Sequence, residues 1–325
     1  MGVHPVPSLT LAHAKLQNRL VQSISPEQKT FFKEQLNYSH FDYLPPSNTL
    51  AVNQIQHGMI LEAVRSFAKN NPVHMLDVGC GWGDFSEKLD PYLKSYIGID
   101  PSVSELQQFS LRPNRAIIRG VGEFMDFVKD QSRNFILLNS VIDHAFDWKK
   151  LFANCLRILT PGGLMVISME NSLKLPVRLR KWLGRPVVHE GHFSFWSVPE
   201  VEQLLGTDFN IVEKRTFGYL FGFHQLTERV PLPLGLMRVL NRMANKVFGY
   251  FDSNGGAILF FSAIRKGTPE KECNFENALC CPNCHADWDF GAKSCLQCGC
   301  EFIYTDHFMD SVAMNPSLKE DAGLR

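Results

Sequence analysis

The stretch His74–Leu89, HMLDVGCGWGDFSEKL, admits few folds. His74 to Val78 reads as a buried strand, and Gly79, Gly81 and Gly83 permit positive φ and close backbone approach to a ligand. Asp84 stands where a helix N-cap is favoured. Strand, bare loop and helix N-terminus in that order form the nucleotide site of doubly wound α/β sheets. The next strand, Ser95 to Asp100, ends in an acid about 20 residues beyond the glycines, where such a sheet sets a carboxylate on a ribose diol.

The glycine spacing serves nicotinamide, flavin and S-adenosylmethionine enzymes alike, and the neighbouring residues separate them. A dinucleotide fingerprint needs a third small residue where this chain has Asp84, and a pyrophosphate would be repelled by that carboxylate. The pattern from Asp77 to Gly83 is acid-x-Gly-x-Gly-x-Gly, which resembles the first motif of class I S-adenosylmethionine-dependent methyltransferases. That donor carries an ammonium and a sulfonium and no phosphate, so an acidic loop suits it electrostatically. The resemblance implies S-adenosylmethionine as cofactor and assigns Asp77, Gly79, Cys80, Gly81, Gly83, Asp100 and Pro101 to it.

Further strands are expected near Arg115–Arg119, Asn134–Asn139, Leu164–Met169, Phe209–Thr216 and Ala257–Arg265. The helix Trp148–Leu159 should stop at Thr160-Pro161-Gly162-Gly163, and the stretch DWKKLFANCLRILTPGG resembles the family's approach to its fifth strand. The resemblance spans residues 51 to 266 and implies a doubly wound α/β fold with a seven-stranded, mostly parallel sheet. Two departures stand out. Where relatives place an aspartate beside adenine, this chain has Val121-Gly122-Glu123, which leaves Gly122, Glu123 and Phe124 to receive the ring. The fourth strand's end, Leu138-Asn139-Ser140-Val141-Ile142-Asp143-His144, lacks the Asn-Pro-Pro-aromatic motif of amine and amide methylation, which points to oxygen or carbon as acceptor atom. Asn139 is assigned to the cofactor.

Methyl transfer is an in-line displacement, so the protein aligns donor and acceptor and removes a proton where needed. His144, at the carboxyl end of the fourth strand, is the leading base, oriented by Asp143 or Asp147; His192 and His189 are second candidates, in a loop that often lines the acceptor pocket in relatives. A helical cap over residues 1–70 should cover the cofactor, with His40 or Tyr43 near it.

The 33 basic residues balance the 33 acidic ones, so any anionic partner must find a local patch. Two inserts offer one. Residues 173–188 carry Lys174, Arg178, Arg180, Lys181 and Arg185 around Trp182 without an acid; residues 236–251 put Leu236, Val239, Leu240, Met243, Val247 and Phe251 on one helical face, with Arg238, Arg242 and Lys246 beside them. Such faces suit an anionic bilayer or a lipid-linked phosphate, although a lid packed on the enzyme's own core is the default for the second helix alone. No apolar run reaches eighteen residues and the N-terminus lacks a signal-peptide pattern, so a cytoplasmic protein, peripheral at a membrane, is expected.

Cys281-Pro-Asn-Cys284, ten residues, then Cys295-Leu-Gln-Cys298 supplies four thiolates for one tetrahedral zinc, with a hairpin over Trp288–Lys293 between the two knuckles; Cys280 and Cys300 are spare neighbours. This stretch resembles the small zinc-ribbon proteins that activate several methyltransferases in translation. The expected organisation is a cap (1–70), a methyltransferase domain (71–267) with inserts near 173–188 and 226–251, a linker (268–279), a zinc ribbon (280–310) and a disordered tail (311–325). The leading function is O- or C-methylation of a lipid, isoprenoid or lipid-linked small molecule. The alternatives are a methyltransferase for RNA or a translation protein, with nucleic acid disfavoured by the balanced charge, and a binding protein that has lost catalysis.

Overall fold

The computed structural model describes residues 36, 38–39, 45–184, 193–221, 232–268 and 275–314. The sequence candidates His40, Tyr43, Arg185, His189 and His192 lie outside them. Helix α1 (Ser47–Ala68) leads into β1 (Val73–Val78), all six residues of which are buried. There follow α2 (Asp84–Leu89), β2 (Leu93–Asp100), α3 (Val103–Leu106), β3 (Arg115–Arg119), β4 (Arg133–Asn139), α4 (Trp148–Ile158), β5 (Leu159–Glu170), α5 (Leu175–Trp182), α6 (Val198–Leu205), β6 (Phe209–Phe217), α7 (Leu234–Phe251), β7 (Ile258–Arg265), β8 (Met309–Asp310) and α8 (Ser311–Met314).

The strands form one sheet in the order β6-β7-β5-β4-β1-β2-β3-β8, with β7 antiparallel to both neighbours and the other pairs parallel. The order reverses between β1 and β4, and there the ends of two strands splay their loops apart and leave a crevice. Helices on both faces bury it, because parallel strands such as β4 (RNFILLN) carry apolar side chains on either side.

The seven expected strands are present, and an eighth comes from the far end of the chain. The turn expected at Thr160–Gly163 is instead the opening of β5: Leu159 already pairs with Arg133, and Gly162, at φ 77°, carries the chain on. The linker expected to run to 279 is packed from Phe275 on. Its ring stacks on His74 at 4.5 Å, Ala278 and Leu279 are buried, and Lys129 N donates to Ala278 O at 2.9 Å. The tail expected to be disordered from 311 is helical through Met314, with Val312 buried.

The largest difference concerns α7. Its apolar face does not pack on the core. Met237, Asn241 and Ala244 form the buried side, against α1, where Asn241 Nδ2 donates to Asn48 Oδ1 at 2.9 Å, while Leu236, Val239, Met243, Val247 and Phe251 face outward. The helix thus packs on the protein's own α1, as the default lid reading expects, but by its Met237–Asn241–Ala244 side and not by its apolar stripe. Asparagine is a weak core residue by hydropathy, but the Asn241 amide nitrogen is satisfied by Asn48 Oδ1 and by Met237 O at 3.0 Å, which offsets part of the cost of its burial.

Candidate active site

The crevice beside β1 holds a cavity of about 260 Å³ whose wall includes Gly79, Gly81, Asp100, Gly122, Ser140 and His144. The glycine loop fits this place for stated reasons. Gly79, Gly81 and Gly83 adopt φ of 75°, 51° and 88°, the left-handed region that a β-carbon penalises. A Cβ on Gly79 would fall 2.4 Å from Val141 Cγ2, and one on Gly83 2.4 Å from the Phe109 ring. The loop is pinned from below, with Gly79 N and Cys80 N both donating to Ile99 O at 2.7 and 3.1 Å. Gly83, not Asp84, occupies the N-cap, and Asp84 begins α2 paired with Lys88 and His57.

Asp100 ends β2 with both carboxylate oxygens engaged: Gly81 N donates to Oδ2 at 2.9 Å and Ser102 N to Oδ1 at 2.8 Å. Each oxygen keeps lone-pair capacity toward the cavity. Burial pushes its pKa up to about 6, against the two backbone donors. Glu123 and Glu105 add two more buried carboxyls to the wall. Glu123 anchors the loop after β4, accepting from Phe146 N at 2.8 Å and Asp147 N at 3.4 Å, and burial raises its pKa. The lining holds three carboxyls and, among the described residues, neither lysine nor arginine. A wall of that sign favours a cation and repels a phosphate.

The other sequence candidates divide. Pro101, Gly122 and His144 line the cavity, and the carbonyls of Gly122 and Glu123 are held by Asn154 Nδ2 at 3.2 and 3.1 Å. Asp77 sits beneath the loop, wholly buried, accepting from Tyr96 OH at 2.7 Å. Cys80 and Gly83 support the loop and Phe124 packs beside Val121 and Phe193; none of the three is on the wall. Asn139 points to α1, where Gln56 Nε2 donates to its Oδ1 at 2.8 Å. Asp143 is buried, and its carbonyl accepts from Phe193 N at 2.8 Å and Ser194 N at 3.2 Å, which ties the two loops.

Sequence reasoning missed Tyr38, Ser102, Glu105, Ser140 and Phe146 on the wall. Ser102 and Glu105 carried a readable signal, the Ser-x-x-Glu start of a short helix, and Ser102 Oγ does accept from Glu105 N at 3.3 Å. Tyr38 carried none, since its carbonyl reaches the site by accepting from Ser102 Oγ, 64 positions along the chain.

The four cysteines converge. Sγ of Cys281 lies 3.7 Å from that of Cys298, Sγ of Cys284 lies 3.5 Å from that of Cys295, and all four lie within 4.8 Å of one another. A tetrahedron with Zn–S bonds of about 2.3 Å has edges of about 3.8 Å, so the donor set fits zinc. Two matching turns bring them there: His285 N donates to Cys281 O at 2.8 Å and Gly299 N to Cys295 O at 2.9 Å, with φ of 59° and 72° at those two positions. Cys280 is turned away, its thiol donating to Asp126 O at 3.3 Å, and Cys300 stands outside the cluster. The expected hairpin over Trp288–Lys293 is replaced by a tight turn, Ala292 N to Asp289 O at 3.0 Å, between isolated bridges.

A family model described as a methyltransferase domain matches residues 53–214. A ubiquinone biosynthesis O-methyltransferase of Bradyrhizobium sp. is 28% identical over 119 residues, 34% of this chain and 47% of that protein. The human mitochondrial ubiquinone biosynthesis O-methyltransferase is 28% identical over 113 residues, 32% of this chain and 31% of that protein. The chain thus spans about half the length of the bacterial relatives it matches, or less. Among solved structures, an S-adenosylmethionine-dependent methyltransferase from Mesorhizobium loti aligns with a TM-score of 0.44 at 16% identity, covering 63% of this chain and 96% of that one. Residues 53–214, with the strand order and glycine loop described above, are similar to a methyltransferase domain and take a Rossmann-like fold.

Proposed function

We propose that the chain methylates an oxygen, or an activated carbon, of an apolar lipid- or isoprenoid-like acceptor. One observation carries the reading: His144 lies on the same cavity wall as Gly79, Gly81 and Asp100, with Phe146 and Ala145 as apolar neighbours and, among the described residues, neither lysine nor arginine in the lining. S-adenosylmethionine held by Asp100 at the ribose and by the glycine loop would set its sulfonium toward the end of β4. The bound donor would supply an electrophilic methyl group, exchanging its sulfur–methyl bond for an oxygen–methyl bond, and His144 would take the acceptor's hydroxyl proton at its imidazole. The relatives named for ubiquinone biosynthesis support an O-methyl product on an isoprenoid-like molecule.

The test combines acceptor identity with the base. Methyl-labelled S-adenosylmethionine is supplied with a total lipid extract or with an RNA fraction, and label is expected in lipid; label in RNA alone would refute the reading. His144→Ala should lower turnover at least about a hundredfold while cofactor affinity holds. Unchanged kinetics would remove His144 from the reaction.

The four cysteines, we further propose, hold a structural zinc. Four thiolates close its coordination shell and leave no place for an activated water, so the metal would staple the ribbon and take no part in methyl transfer.

A further inference from the structure

Two helices stand apart from the packing logic of the rest of the molecule. On α7 the outward side is the apolar one: Leu236, Val239, Met243 and Val247 lie on it, and Tyr250 and Phe251 end it at 85% and 79% exposure. Successive residues turn by about 100°, which sets Lys246 along one flank of that apolar stripe, while Arg242 and Arg238 lie further round, exposed on the rim of a groove shared with Glu62 of α1. On α5 only Val177 is buried, while Leu179, Trp182 and Leu183 are exposed, Trp182 at 80%. The two helices are joined at their ends. Arg178 of α5 pairs with Asp252, the residue that caps α7, and Leu175 N donates to Gly255 O at 2.9 Å. Neither helix contains an acidic residue.

Their place in the sheet is shared too. Helix α5 leaves the carboxyl end of β5, and α7 lies between the carboxyl end of β6 and the start of antiparallel β7. Both therefore sit at the edge where the cavity opens.

We infer that α5 and α7 together form a docking face for an anionic phospholipid bilayer. Exposed tryptophan and tyrosine suit the interfacial region, where an apolar ring and a polar tip each find their solvent. The exposed aliphatic side chains enter the acyl boundary, and Arg180, Lys181, Arg238, Arg242 and Lys246 meet the lipid phosphates. The charge argues for this occupant: two helices that carry cations and no acid of their own, with Asp252 at their junction already paired with Arg178, complement an anionic surface and repel a second copy. The inference deepens the lipid-acceptor reading but is measured without turnover, so each can fail alone.

The test is co-sedimentation of the full chain with vesicles of phosphatidylcholine and phosphatidylglycerol, three to one, against vesicles of phosphatidylcholine alone. The protein is expected to sediment with the anionic vesicles and to be released as salt rises. Arg242→Ser with Lys246→Ser should weaken partition about 25-fold, roughly fivefold for each cation near the surface. Tyr250→Ser with Phe251→Ser should weaken it as well, with S-adenosylmethionine affinity in buffer unchanged for both pairs, since none of these residues lines the cavity. Wild-type protein that stays in the supernatant with anionic vesicles would overturn the inference, as would partition unaffected by either pair. A dimer that the Tyr250/Phe251 pair dissociates, without vesicle binding, would assign the face to a second copy instead.

Discussion

Asp77 lies on β1 in the middle of the sheet, between β2 and β4, and only 1% of it is exposed. Burial is the main reason its pKa rises from 3.8 to about 7; the Tyr96 hydroxyl opposes the rise, and the Asp100 and Asp84 charges add to it. The unfolded chain releases this proton near 3.8, so from about pH 4 to about pH 7 the folded state holds a proton that the unfolded state has lost. A raised folded pKa makes stability fall as pH climbs through that window, by about 1.4 kcal/mol for each unit, and the loss levels off near 4 kcal/mol above pH 7. Asp77→Asn keeps the size and an acceptor for Tyr96 and removes the charge. Its amide donors add a pH-independent offset of about 1–3 kcal/mol, so the test is the slope and not the intercept. Urea unfolding of both proteins at pH 4, 6 and 8 should show the variant gaining on wild type by up to about 4 kcal/mol between the first and last. A difference that does not change with pH would refute the reasoning. The same substitution should weaken S-adenosylmethionine binding at pH 8, because it removes a negative charge from beneath the loop that faces a cationic donor.

Two further outcomes are expected. Asp100→Ala removes the carboxylate that Gly81 N and Ser102 N share, and cofactor affinity measured by calorimetry should fall by about 1.5–3 kcal/mol, roughly ten- to 150-fold. Cys281→Ser with Cys284→Ser should abolish stoichiometric zinc by elemental analysis and open residues 275–314 to proteolysis; metal-free wild type with a protected ribbon would rule out the staple.

Much of the site was legible because its signals are local. The alternation of strands and helices, the acid after β2 and the glycine loop each depend on a few adjacent residues and recur wherever a doubly wound sheet builds a cofactor cleft. The contributions that escaped are those made across the chain. Nothing around Tyr38 points to Ser102, and nothing in α7 shows that Asn241 will donate to Asn48 and so turn that side toward α1. Asn139 and Cys80 were assigned to the cofactor by position in the motif, yet side-chain direction decides their role: alternate residues of a strand point to opposite faces, and the Asn139 side chain meets Gln56. A two-residue strand such as β8 has no periodicity to read at all.

That short strand changes how the four-cysteine module relates to the candidate site. Met309 and Asp310 pair with Ile118 and Arg119 at the edge of the sheet, and Arg119 then bridges both modules, with Nη1 on Asp310 Oδ2 at 3.0 Å and Nε on the carbonyl of Pro101, a cavity residue, at 3.2 Å. Ser311 Oγ donates to Arg119 O at 2.7 Å, and Val312 packs with Val121, which also lines the cavity. A Cβ on Gly120 would meet Ser311 Oγ at 2.7 Å, so the glycine admits the tail as closely as the loop glycines admit a ligand. On the other side, Ala278, Leu279, Cys281, Trp288 and Phe302 belong to the same apolar cluster as Val128 and Trp148 of the methyltransferase core. Ending the chain at Gly267 would therefore strip cover from that core and remove a support of the Pro101 and Val121 walls together. The four-cysteine module and the tail are part of what shapes the cavity, and loosening them should be felt there through Arg119.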